Sequence, residues 1–126
     1  MIVVDSCGWI EFLTDGPLAE KYAPYFARPD EIVTPSVVIY EVTKKIWREQ
    51  GKEKAVLIAA QMQQTRIVPF DHHLAVAAAD ASLRRGLPMA DAIVYATGME
   101  CGYKVVTSNR HFKDLPGVVF ISGENA

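Results

Sequence analysis

Met1-Ile2-Val3-Val4-Asp5-Ser6 is the stretch that most constrains the fold, because three β-branched residues run directly into a carboxylate. Such an apolar run is typical of a short buried strand. A carboxylate at the buried end of a strand needs a partner, which favours a functional role for Asp5. Because Asp is also a favoured helix cap, the alternative is that Asp5 only caps a helix over Ser6–Leu13.

Four further β-branched or apolar runs follow, and helical patterns fill the intervals between the first four of the five. The predicted strands are Ile2–Val4, Ile32–Thr34, Ile67–Phe70, Val105–Thr107 and Val118–Ile121. Strands that alternate with helices form parallel sheets covered on both faces. We therefore expect an α/β fold, a three-layer α/β/α sandwich around a mainly parallel sheet of about five strands.

Three of the helical patterns carry clear start and stop residues. They are Val37–Gln50 after Pro35-Ser36 and before Gly51, His72–Arg85 after Asp71 and before Gly86, and a helix from about Ala90 after Pro88 and before Gly102. We found no internal repeat, low-complexity tract or linker between these elements.

Size and composition indicate a single domain over residues 1–126, since half of the residues are apolar and can build one core. The longest apolar runs are too short to cross a bilayer, so we expect a soluble, cytoplasmic protein. The net charge of −2 offers no general attraction for nucleic acid, and any such binding must rest on a local basic face. The two cysteines, Cys7 and Cys101, are interpreted as buried thiols rather than a disulfide or a zinc site.

Two more carboxylates lie in apolar surroundings. Glu41 follows Val37-Val38-Ile39-Tyr40, and Asp91 lies near the start of its predicted helix. Glu41 has an alternative as a solvent-facing acid paired with Lys44 or Lys45, and Asp91 has one as a simple N-terminal helix acid.

The predicted fold brings these acids together. In open α/β sheets the site lies beyond the carboxyl ends of the strands, where strand order reverses. Asp5 ends the first strand, and Thr107-Ser108-Asn109 ends the fourth. Three carboxylates without a metal would repel one another, and oxygen-only ligands suit Mg²⁺ or Mn²⁺.

Four motifs, which together span nearly the full chain, resemble those of a known protein family. They are the strand ending in Asp5-Ser6, Pro35–Val42, Leu87–Ala92, and Val106–Phe112 with Leu115–Val118 behind it. In this order and spacing the chain resembles the PIN-domain family, specifically the VapC-type toxin ribonucleases of type II toxin–antitoxin systems. The resemblance implies a PIN-like fold and an Mg²⁺- or Mn²⁺-dependent endoribonuclease that hydrolyses RNA phosphodiester bonds.

The resemblance also assigns roles to single residues. Asp5, Glu41 and Asp91 match the three main metal-binding carboxylates, and Ser6 and Thr107 match small hydroxyl positions expected to hold them. Asn109 stands where many members carry a fourth acid. Its amide oxygen can still bind a hard cation, but the missing charge weakens the expectation of a second metal.

Contacts to RNA would need basic side chains near these acids. The candidates are Arg110, which adjoins Asn109, together with Lys44 and Lys45 on the Glu41 helix. All three histidines, His72, His73 and His111, are interpreted as surface or packing residues.

The aromatic first helix and Trp47 suggest partners. Trp9 and Phe12 either pack in the core or, with Trp47, offer apolar surface to other chains. The resemblance implies a cognate antitoxin on part of that surface and a homodimer on another part.

Two other functions remain open. Asn109 and the acidic net charge are compatible with a degenerate PIN-like module that binds RNA or a partner without catalysis. A phosphatase with Asp5 as its nucleophile would usually carry a second Asp two residues later, where this chain has Cys7.

Overall fold

A five-stranded sheet, parallel throughout, runs through the computed structural model, which describes residues 1–123. Its strands are β1 Ile2–Val4, β2 Ile32–Pro35, β3 Arg66–Val68, β4 Lys104–Thr107 and β5 Val118–Phe120, in the spatial order β3-β2-β1-β4-β5. The predicted α/β class and parallel sheet are confirmed. Residues 124–126 of the predicted domain lie outside the described part.

Six α-helices connect these strands within residues 1–123. They are α1 Ser6–Leu13, α2 Ala19–Phe26, α3 Ser36–Gln50, α4 Lys52–Met62, α5 His72–Arg85 and α6 Met89–Cys101, with short 3-10 turns at Pro29–Glu31 and Arg110–Phe112. The three helices with predicted start and stop residues are confirmed to within a residue, and the alternative helix over Ser6–Leu13 is present as α1. Helices α2 and α4 had no separate prediction.

The strand order contains one reversal. The chain moves from β1 to β2 to β3 in one direction and then crosses back to β4 on the other side of β1. Because such crossovers are right-handed, α1 to α4 cover one face and α5 with α6 cover the other. The crevice beyond the carboxyl ends of β1 and β4 is therefore the switch point where a site is expected.

The core is densest at the centre of the sheet. Val3 and Val4 of β1 and Val105 and Val106 of β4 are fully buried, as expected for strands covered on both faces. Phe26 of α2 holds α1 in place, since its ring contacts Trp9 edge to face at 4.8 Å and stacks on Phe12 at 4.3 Å. Trp9 and Phe12 thus pack inside the molecule, while Trp47 is 47% exposed.

Two local predictions were wrong. Phe70 lies outside β3, because Pro69 has no amide hydrogen to continue the ladder and the Phe70 amide donates instead to Ser36 Oγ at 3.1 Å. Cys101 is exposed at the end of α6, so only Cys7 is even partly buried. No helix among the described residues is long and apolar enough to span a membrane.

Gly98 allows α6 to lie directly on β4. A Cβ at this position would lie 2.7 Å from Val105 Cγ2 and 3.0 Å from the Tyr103 carbonyl oxygen. We predict that Gly98→Ala lowers the free energy of unfolding by about 1–2 kcal/mol, because overpacking outweighs the gain in helix propensity. Urea unfolding measures the change.

Gly123→Ala is the matched control, since its added Cβ would meet its nearest neighbour, Leu18, at 3.7 Å. It should leave the urea midpoint unchanged. A Gly98→Ala protein as stable as the wild type would contradict the close contact between α6 and β4.

Candidate active site

Asp5 lies at the switch point of the sheet and caps α1, as its alternative interpretation expected. Its side chain is 4% exposed. One oxygen, Oδ1, accepts the Gly8 amide at 3.1 Å and caps α1, while Oδ2 accepts the Thr107 hydroxyl at 2.6 Å. Asp5 is therefore a helix cap that also bridges β1 to the end of β4.

The environment of Asp5 disfavours its charged form. Burial raises the pKa of the Asp5 carboxyl from its ordinary 3.8 to about 6, and the hydrogen bonds from Thr107 and Gly8 offset part of this effect. The nearby charges of Asp91 and Glu41 raise the pKa of Asp5 further. The three predicted carboxylates are thus close enough to repel one another.

Glu41 lies on α3 and points toward Asp5 and Asp91 rather than solvent. It is half-buried, and its pKa is raised mainly by burial and also by the charge of Asp91, while a hydrogen bond with the Ser6 side chain lowers it. The two lysines of the alternative interpretation have other partners. Lys44 contacts the Tyr40 hydroxyl at 3.4 Å, and Lys45 pairs with Glu49 at 3.1 Å.

Asp91 lies in the first turn of α6, after Pro88. Its Oδ1 accepts the Asn109 side-chain amide at 3.3 Å, and its Oδ2 lies 2.6 Å from His111 Nδ1. The Asp91 side chain is 20% exposed. It belongs to the acidic centre and is more than a helix-end charge.

The contact with His111 corrects the sequence interpretation. His111 is exposed, as a surface residue would be, but its ring contacts the acidic centre. The reason is local, because Asn109 Oδ1 accepts the His111 amide at 3.0 Å and starts the 3-10 turn over Arg110–Phe112. An Asn two residues before a His was the available signal.

A continuous hydrogen-bond chain joins two of the acids. Thr107 is fully buried. Its hydroxyl donates to Asp5 and accepts a hydrogen bond from the Asn109 backbone amide at 2.9 Å. Asn109 in turn donates to Asp91. The end of β4 thus fixes the relative positions of Asp5 and Asp91.

Sequence reasoning did not identify a second polar group, which lies around Ser108, next to Thr107 and Asn109. Tyr22 of α2 is fully buried, and its hydroxyl donates to Ser108 Oγ at 2.8 Å. Cys7 Sγ lies 3.4 Å from the same oxygen. Burial raises the pKa of both Tyr22 and Cys7, so the neutral form of each side chain is favoured. Without a predicted α2, no sequence signal led to Tyr22.

The sequence model of the PIN domain matches residues 2–118. The chain belongs to the PIN domain family. The match covers every motif on which the resemblance was based, and the PIN-like fold is confirmed.

Solved structures similar to this PIN domain share its fold at low sequence identity. A toxin–antitoxin complex from Klebsiella pneumoniae matches with a TM-score of 0.80 and 17% identity over 100% of both chains. DNA-bound VapBC from Salmonella typhimurium matches with a TM-score of 0.73 and 16% identity over 98% of this chain and 99% of that chain. VapC20 from Mycobacterium tuberculosis, a toxin that cleaves the sarcin–ricin loop, matches with a TM-score of 0.71 and 20% identity over 82% and 85%. None of the curated protein sequences compared with the chain matches it.

The donor atoms at the centre of the PIN domain suit a hard divalent cation. They are carboxylate and amide oxygens, and two of the three carboxylates have raised pKa values that a cation would lower. Among residues 1–123, no three His, Cys, Asp or Glu side chains form a ready-made metal site. The carboxylates are held by Thr107, Ser6, Asn109 and His111 instead.

The three predicted RNA-binding cations differ in their surroundings. Lys44 and Lys45 contact Tyr40 and Glu49 on their own helix. Arg110 is exposed directly after Asn109, and among the described residues it forms no ion pair. Of the three, Arg110 is the cation next to the acidic centre in sequence, and no acid among residues 1–123 pairs with it.

The raised pKa of Asp5 predicts a stability gain from Asp5→Asn in metal-free buffer. Because the pKa of Asp5 is higher in the folded state, the fold favours protonated Asp5. Its contribution to stability is fully present below pH 3.8 and is lost as the pH rises through about 6. At about pH 8 the neutral Asn should increase the free energy of unfolding by about 1–3 kcal/mol, and the gain should vanish below about pH 4. Urea unfolding with EDTA at both pH values measures it.

Asp80→Asn is the control, because Asp80 forms an exposed ion pair with Arg84 at 2.8 Å. Such a pair contributes under about 1 kcal/mol, so this change should give no gain at high pH. An Asp5→Asn protein less stable than the wild type at pH 8 would mean that hydrogen bonding to the carboxylate outweighs its desolvation.

Proposed function

We propose that this PIN domain, residues 1–126, is a cytoplasmic, Mg²⁺- or Mn²⁺-dependent endoribonuclease and the toxin of a toxin–antitoxin pair. The observation that carries the proposal is the convergence of Asp5, Glu41 and Asp91 beside Asn109 at the switch point of the sheet. Membership of the PIN family and likeness to toxin–antitoxin structures support it.

Asp5, Glu41 and Asp91 would hold the cation through their carboxylate oxygens. When bound, Mg²⁺ or Mn²⁺ supplies Lewis-acid stabilisation of the phosphoryl oxygens and activation of a water for in-line attack. Thr107 and Ser6 orient Asp5 and Glu41 by hydrogen bonds, as partners of metal ligands usually do. The protein contributes position and charge, which dominate the catalysis of phosphoryl transfer.

Asn109 sets the charge of the centre at three carboxylates rather than four. Its side-chain amide donates to Asp91, and its oxygen accepts the His111 amide. Because affinity for a hard cation rises with the number of charged ligands, this centre favours one strongly held metal over two.

An antitoxin would cover apolar surface on α3 and α4. Tyr40 and Trp47, exposed by 61% and 47%, line a groove of 620 Å³ with Ile39 and Ala59. An amphipathic helix or extended segment of a partner protein buries such side chains in this way. The apolar side chains exposed on α5 and α6, Val76, Leu83 and Met89, offer a separate surface for a homodimer.

Two observations favour a second candidate, a PIN-like module that binds RNA or a partner without catalysis. The acids of residues 1–123 form no ready-made metal site, and Asn109 removes one charge from the centre. The two candidates differ in one measurable property, the affinity for a divalent cation.

Asp91→Asn should abolish catalysis while the protein stays folded. Removing one ligand charge should reduce Mn²⁺-dependent cleavage of total bacterial RNA by at least about 100-fold, measured by gel electrophoresis with and without EDTA. Asp80→Asn, on the exposed face of α5, is the control and should cleave like the wild type. Cleavage that survives Asp91→Asn or EDTA would refute the metal-dependent nuclease.

Asn109→Asp should strengthen metal binding. A fourth carboxylate should tighten Mn²⁺ affinity roughly 10-fold, as ligand charge and supporting groups commonly do, and titration calorimetry measures it. Asp91→Asn should weaken binding in the same assay. No heat of binding in the wild-type protein, followed by binding in Asn109→Asp, would favour the non-catalytic module.

A further inference from the structure

A basic pocket adjoins the acidic centre on the side of β5. It encloses 440 Å³ between the residue preceding α2, the turn after β4, and the residues that follow β5. Ser108, Arg110 and Lys113 contribute its polar wall, and Phe120 contributes an aromatic one. Ser108 lies between Thr107 and Asn109, so the pocket and the acidic centre share the same short segment of chain.

Within residues 1–123, the positive charge in this pocket has no acidic partner. No Asp or Glu among the described residues lines it, and neither Arg110 nor Lys113 forms an ion pair within residues 1–123. A third cation lies at its edge, because Lys21 Nζ donates to the Ser122 carbonyl oxygen and Ser122 also lines the pocket. The pocket is thus a local basic face on a chain with net charge −2.

Several other cations of the chain are arranged differently. Lys45, Arg28 and Arg84 each pair with an acid one turn away on the same segment. Lys44 lies over the Tyr40 ring and Arg85 over the Tyr95 ring. These contacts engage the cations locally, whereas no described acid pairs with Arg110 or Lys113, which leaves both charges available to an anion.

We propose that this pocket binds a backbone phosphate of single-stranded RNA next to the phosphate held at the acidic centre. The proposal rests on the proposed nuclease function. Three carboxylates repel a polyanionic strand, so the strand needs cations close by to remain over them. Arg110 and Lys113 supply those charges within a few residues of Asn109.

The wall formed by Phe120 suits the same ligand. Single-stranded nucleic acids bind where a positive groove follows the backbone and an aromatic ring lies beside the bases. Phe120 ends β5 and is half-buried, so the edge strand carries the ring while the turn after β4 carries the charges. A base or ribose adjoining the bound phosphate would contact this ring.

The test measures binding of a fluorescein-labelled oligouridylate in EDTA, where metal-dependent cleavage cannot interfere. Arg110→Gln and Lys113→Gln should each weaken binding about 5-fold at about 0.1 M salt and lower the slope of log K against log salt by about 0.7, the value for one phosphate contact on a single strand. Lys104→Gln is the matched control, since Lys104 is exposed at the opposite end of β4. It should leave both quantities unchanged.

If Arg110→Gln, Lys113→Gln and Lys104→Gln all bind the oligouridylate with the same affinity, the proposed pocket is refuted. Equal weakening would mean that the RNA is attracted by the overall charge, and no weakening would mean that none of these cations contacts it. No binding by the wild-type protein would overturn it as well. Mn²⁺-dependent cleavage by wild type and Asp91→Asn is followed separately. If cleavage depends on Asp91 but Arg110→Gln and Lys113→Gln bind RNA like the wild type, only the pocket proposal is refuted. If these two variants bind RNA more weakly but no Asp91-dependent cleavage is found, only the nuclease proposal is refuted.

Discussion

The hydrogen bond from the Thr107 hydroxyl to Asp5 Oδ2, at 2.6 Å, is the contact on which the rest of the centre depends. It joins the ends of β1 and β4, the strands between which the order of the sheet reverses. Thr107 also accepts the Asn109 amide, so one buried hydroxyl orients Asp5 and the turn that reaches Asp91. Since both partners are buried, solvent cannot replace either one.

The acidic centre destabilises the folded protein, and the packing of the sheet offsets this effect. Burial and mutual repulsion raise the pKa of Asp5 and Glu41, and the fully buried valines of β1 and β4 hold the strands together against this repulsion. A divalent cation or another positive group would reduce the repulsion between the carboxylates and so reduce this destabilisation.

Local sequence was sufficient wherever a pattern and its boundary residues coincided. The β-branched runs located all five strands, and Pro, Asp and Gly located the helices they begin or end. Predictions failed where a boundary depended on the environment. Phe70 left β3 because its amide binds Ser36 across the chain, and α2, with Pro24 inside it, gave no clear helical pattern.

The sequence by itself determined the fold class, the family, and the choice of Asp5, Glu41, Asp91 and Asn109, because each lies in a motif readable within a few residues. Their roles in metal binding stay a prediction. Only the tertiary structure decided that His111 contacts Asp91, that Tyr22 supports Ser108, and that Arg110 and Lys113 share a pocket with Phe120. These contacts join segments distant in sequence, and the strand order that brings the segments together is a property of the whole sheet rather than of any local pattern.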